Sequence, residues 1–166
     1  MKLIDKQPGL TLYDIKRTLN INLGTARYHL LILSLNQNTT SFNDGSKYVR
    51  YFKNSNTFTD DEKMVISMLR RSHVKEILYV LLDKPGIQNL GVAAELGLHE
   101  GTVSRCMRML TARGIVVRAS ANGEKAAYMI VERYGSLIMC GLKIVDSDVA
   151  KIEMTSIPSL GDQVEN

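Results

Sequence analysis

Residues Pro85 to Leu110 read PGIQNLGVAAELGLHEGTVSRCMRML. A Pro-Gly pair opens the stretch and Gly97 interrupts it, which predicts two short helices where one long helix would bury more apolar surface. Asn89 is placed to cap a helix through Leu96. Gly97 is free to take positive φ and turn the chain. A second helix is expected from about Glu100 to Ala112, stopped by Gly114. In it Val103, Met107 and Leu110 recur at i, i+4 and i+7 with Cys106 beside them, giving a face that the protein can hold. The other face carries Glu100, Thr102, Ser104, Arg105 and Arg108. Helix, Gly-containing turn, helix is the order of a helix-turn-helix.

The flanks extend this reading. Thr59-Asp60-Asp61-Glu62 has capping-box spacing, so a helix should begin near Asp60, with Met64, Val65, Met68 and Leu69 as its apolar stripe. Ser72 restarts a helix whose inward residues are Val74, Ile77, Leu78, Leu81 and Leu82, ended by Pro85-Gly86. Downstream, Ile115 to Arg118 and Tyr128 to Val131 read as two strands joined by a turn at Asn122-Gly123. Three helices and a hairpin make a winged helix.

Moving back 77 positions, the opening stretch meets PGLTLYDIKRTLNINLGTARYHLLIL, Pro8 to Leu33. Identities fall at Pro8/Pro85, Gly9/Gly86, Leu19/Leu96, Gly24/Gly101, Thr25/Thr102 and Leu33/Leu110. Apolar residues pair at Leu10/Ile87, Ile15/Val92, Ile21/Leu98, Ala26/Val103, Leu30/Met107 and Ile32/Met109. Agreement in both identity and apolar register predicts two copies of one supersecondary unit. The first copy lacks room for its opening helix, of which only MKLIDKQ remains; that stub is expected to pack as a turn or to borrow a face from elsewhere. The predicted fold is mainly α with small β-hairpin wings (α+β): a unit over 1–56, a second over 57–134, and a C-terminal helix with a disordered tail over 135–166.

The tandem arrangement resembles winged helix-turn-helix transcriptional regulators of the archaeal, ArsR/MarR-like kind. AAELGLHEGTVSRCMRML with GIVVR carries the resemblance in the second unit, and GTARYHLLIL with DGSKYVRYF in the first, so that it covers residues 3 to about 135. It implies double-stranded DNA as partner, contacted from the last helix of each unit and from the wing.

The chemistry of the residues agrees. A major groove admits one α-helix, which needs an apolar face to be held and a polar face to read. Arg105 can reach two acceptors on a guanine, Arg108 and Arg113 suit phosphates, and Thr102 and Ser104 flank them. The wings offer Lys47 and Arg50 in the first unit, Arg118 and Lys125 in the second. The corresponding helix of the first unit offers Thr25, Arg27 and Tyr28. It is a poorer reader: Tyr28 replaces Arg105 and Leu31 replaces Arg108. Tyr28, Leu31 and Leu35 exposed together would make an apolar patch, and this favours the alternative of a protein-interaction module, as in tandem winged helices of chromosome-condensation subunits and transcription-initiation factors.

Charge and composition narrow the class. Net charge is +4, divided as +5 over residues 1–58, +2 over 59–135 and −3 over 136–166, so the basic excess follows the helical units. No apolar run approaches the ~20 residues of a membrane span, and MKLIDKQPG lacks the core and cleavage site of a signal peptide, so no membrane partner and a cytoplasmic location are expected. Cys106 and Cys140 stand apart, and His29, His73 and His99 lack ligand spacing, so no metal and no cofactor are expected. No nucleophile-base pair or phosphate loop points to an enzyme. Beyond Tyr134, GSLIMCGLKIV reads as a buried helix, either joining a homodimer through residues 135–154 or packing back on the first unit.

Overall fold

The first helices form where the sequence supplies caps. The computed structural model describes residues 1–119 and 126–155, with side chains described through residue 147. The stub forms α1 (Lys2–Lys6), a short helix that buries Ile4. After it, β1 (Leu10–Thr11) leads into α2 (Leu12–Leu19) and α3 (Leu23–Leu35). Thr11 closes a reciprocal capping box with Asp14 at the start of α2. The hairpin β2 (Thr39–Asn43) and β3 (Val49–Lys53) follows, with Thr39 opposite Lys53 and Asn43 opposite Val49.

The second half begins with α4 (Asp60–Leu69), capped by the Thr59/Glu62 box the sequence predicts. Next come α5 (Ser72–Asp83), β4 (Ile87–Gln88), α6 (Asn89–Leu96), α7 (Glu100–Ala112), β5 (Val116–Ala119) and β6 (Ala127–Ile130). The predicted turn at Asn122-Gly123 lies outside the described residues. Both sheets are three-stranded and antiparallel with the same order, β1-β3-β2 and β4-β6-β5. The outer two-residue strands β1 and β4 are not evident from periodicity, because each exists only by pairing: Leu10 with Tyr51, and Ile87 with Tyr128.

The last helix, α8 (Glu132–Thr155), packs on α4 and α5. It buries Tyr134, Ile138, Leu142 and Val145 in the main core, so its apolar face is used within the chain, and on the second half rather than on the first. Gly141 allows this approach: a Cβ there would stand 2.7 Å from Leu69 Cδ1 and 3.3 Å from Val65 Cγ1. Asp146 on α8 accepts from Lys75 Nζ at 3.0 Å and Tyr79 OH at 2.6 Å on α5. No helix among the described residues is long and apolar enough to cross a membrane.

The halves share one core. Phe52 of β3 is fully buried among residues of the second half, edge-on to Phe42 and Phe58 with ring centroids 6.0 Å apart. Gly9, at φ +79°, brings the backbone against Ile66 and Phe52, where a Cβ would meet atoms at 3.0 and 3.2 Å. A smaller cluster of Ile4, Leu10, Ile15 and Leu30 fills the first half.

Candidate nucleic-acid interface

Each end of α7 is defined by its own residues. His99 caps the start: its Nδ1 accepts from Gly101 N–H at 3.1 Å, as its position in the sequence suggests. Gly97 turns the chain between α6 and α7 at φ +62°, the left-handed conformation that glycine adopts without a Cβ clash. Asn89 does not cap α6, as the sequence had suggested; its amide Nδ2 donates instead to Ser104 Oγ at 3.1 Å, tying α6 to α7.

Val103, Met107 and Leu110 are fully buried, and Cys106 is half-buried beside them. Burial pushes the Cys106 thiol up, with the positive Arg71 and Arg105 pulling partly the other way, so it stays a packed thiol rather than a thiolate. Glu100, Arg105, Arg108 and Thr111 line the exposed side, with Thr102 and Ser104 half-buried at its margin. Arg105 and Arg108 form no hydrogen bond or ion pair with a described residue. Arg118 is exposed on β5, and Lys125 lies outside the described residues. An exposed cationic row on a rigid, capped helix can meet phosphate and the acceptors of guanine.

Two arginines expected at the interface are instead inside a joint between the halves. Arg50 is 6% exposed; its Nε donates to Asp44 Oδ2 at 3.3 Å and its Nη1 to Gly9 O at 2.7 Å. Arg113 directs Nε to Asp44 O at 3.2 Å and Nη2 to the same oxygen. Both expectations are corrected for the same reason: the carboxylate and carbonyl of Asp44 outcompete solvent for these donors. Arg71 completes the joint, donating from Nη2 to Asp44 Oδ2 at 2.7 Å and from Nη1 to Met109 Sδ at 2.9 Å. Arg70 donates to Pro8 O through Nε at 3.1 Å and Nη2 at 2.9 Å. Burial pushes the Asp44 carboxyl up, but hydrogen bonds from Ser46 and the charge of Arg71 outweigh it, and its pKa lies below the usual value. The sequence could not reveal this cluster, because Asp44 stands in a turn and its partners lie 6 and 27 residues away.

The first wing therefore leans on the α4–α5 corner. Lys47 remains exposed at its tip, 4.8 Å above the ring of Tyr48, which meets Tyr13 edge-on at 5.9 Å. On α3, Arg27 and Tyr28 are exposed and Thr25 is half-buried, its N–H bound to Asn22 Oδ1 at 2.8 Å. Among the described residues no three His, Cys, Asp or Glu side chains gather as metal ligands.

Residues 70–117 match a family model described as winged helix-turn-helix DNA-binding. No curated protein matches the sequence. Among solved structures, the chain is similar to the AntR antimony-specific transcriptional repressor at 22% identity, covering 55% of this chain and 76% of that one with a TM-score of 0.41. It is similar to a MarR-family transcriptional regulator from Rhodococcus sp. RHA1 at 23% identity, with coverages of 57% and 71% and a TM-score of 0.48. A third likeness is to MepR of S. aureus in a DNA complex, at 15% identity, 58% and 82% coverage and a TM-score of 0.42. The matched segment runs from just before α5 into β5, less than a third of the chain, and is similar to winged helix-turn-helix domains of the DNA-binding type.

Proposed function

We propose that this protein is a DNA-binding transcriptional regulator whose α7 enters the major groove of duplex DNA. The observation that carries the reading is the division of α7: Val103, Met107 and Leu110 are fully buried, while Arg105 and Arg108 are exposed with no partner among the described residues. Arg105 is the base reader and Arg108 a phosphate contact, with Thr102 and Ser104 beside them and Arg118 and Lys125 supplying the wing. The two halves are copies of one winged-helix unit, 1–56 and 57–134, supported by the 77-residue repeat and the shared strand order. Of the first copy's candidates, Lys47, Arg27 and Tyr28 are exposed, Thr25 is half-buried and Arg50 is buried. A pair of chains related by a two-fold axis would set two α7 helices on successive half-sites, about one helical turn apart.

A salt titration tests whether the chain binds the backbone of DNA at all. Affinity for a mixed-sequence duplex should fall with salt at a log–log slope of about −0.9 per phosphate neutralised, and three to five contacts should give roughly −2.7 to −4.5. Binding that is absent at low salt, or that shows no salt dependence, is incompatible with the reading.

A further inference from the structure

The repeat makes an internal comparison possible. Helices α3 and α7 occupy matching positions, yet their outer faces differ in kind. Where α7 exposes arginines, α3 exposes Tyr28 (60%), Leu31 (55%) and Leu35 (69%), a ridge at i, i+3 and i+7 about 10 Å long. Ile32 and Leu19 are partly exposed beside it. Next to the ridge lies an apolar groove of about 220 Å³, whose walls include Ile15, Leu19, Ile21, Ala26, Ile32 and Leu33. Ile15 and Ala26 are buried like their counterparts Val92 and Val103, but Leu33 is only half-buried where Leu110 is fully buried. Beside them α1 has 5 residues where α5 has 12.

A helix that is apolar on all sides is ordinarily buried on all sides. We propose that the outer face of α3 is a homotypic interface, covered by α3 of a second copy of this chain in a two-fold pairing. Self-complementarity favours a second copy: each ridge has an apolar groove beside it, so that one copy's ridge can enter the other's groove and receive the same in return. Area agrees. At roughly 200 Å² for each large side chain when fully exposed, the five residues offer on the order of 500 Å² per copy, and a pair removes up to about 1,000 Å² from water, the size of a reversible interface. Charge agrees as well. Over Leu23–Leu35 there is no carboxylate and one cation, Arg27, which is exposed. A polyanion finds little to attract it there. Over its described side chains, the buried face of α8 (Tyr134, Ile138, Leu142 and Val145) is already filled by α4 and α5.

This pairing goes beyond the DNA reading and does not depend on it. Sedimentation of the full chain without DNA tests it, across a dilution series from about 1 to 200 µM and at two salt concentrations. The wild type should be a dimer whose affinity holds or rises with salt, opposite to DNA binding. Leu31→Glu should weaken the dimer by at least ~100-fold, because each copy would bury a carboxylate against apolar surface. Leu35→Ser, milder at an exposed site, should weaken it by ~10-fold with an unchanged melting temperature. A wild type that is monomeric throughout the series overturns the proposal, whatever the variants do. So does a dimer that both variants leave intact.

Discussion

At the residue scale, one residue type has two fates. Arg105 and Arg108 stay exposed with no ion pair to a described residue, whereas Arg50, Arg71 and Arg113 converge on Asp44. The Asp44 side chain is fully shielded and its ion-pair partners Arg50 and Arg71 are 7% and 26% exposed, so removing the carboxylate leaves buried positive charge uncompensated. Asp44→Ala should therefore lower stability by about 3 kcal/mol in urea unfolding. The pH dependence follows from the depressed carboxyl. The unfolded chain titrates near 3.8 and the folded chain lower. The contribution is thus complete above pH about 4 and lost as pH falls through the folded value. The stability gap between wild type and Asp44→Asn should be constant from pH 5 to 7 and should narrow below pH about 4. A gap that widened in acid would contradict the assignment.

At the element scale, legibility depends on how much of an element's cause lies within it. Helix α7 runs from Glu100 to Ala112, as its apolar spacing and the stop at Gly114 predict, because both signals are local. The strands β1 and β4 are too short to carry periodicity and owe their existence to β3 and β6. The apolar run in α8 announces burial but not its partner; the contact with α4 is fixed by Gly141, whose role only packing reveals. Gly141→Ala should meet Leu69 and Val65, and the strain of about 1–3 kcal/mol should exceed the gain in helix propensity, lowering the melting temperature. Gly135→Ala on the same helix has nothing within 4 Å and should stabilise by up to about 1 kcal/mol. Calorimetry on the two variants separates packing from propensity. The same sign of effect in both would mean that α8 does not lie against α4.

At the scale of the whole molecule, the halves are joined and not merely strung together. Phe52 belongs to the core of the second half, and Arg70, Arg71 and Arg113 bind backbone or side chain of the first. The division of α7 into held and exposed faces was legible in the sequence, since it is a pattern along the chain. The sequence could not reveal the joint, because Arg50 and Arg113 look like any other wing and helix-end cations until Asp44 is folded against them. The first wing, docked on the α4–α5 corner, presents Lys47 alone among its predicted cations. The proposed DNA-reading role thus concentrates on α7. The most direct measurement is binding of wild type and Arg105→Ala to the duplex that wild type selects and to its single-base variants. Arg105→Ala should lose ~1–3 kcal/mol on the selected duplex and should bind it and the variant at the contacted guanine about equally. Retention of the full wild-type base preference by Arg105→Ala would contradict α7 as the reading helix.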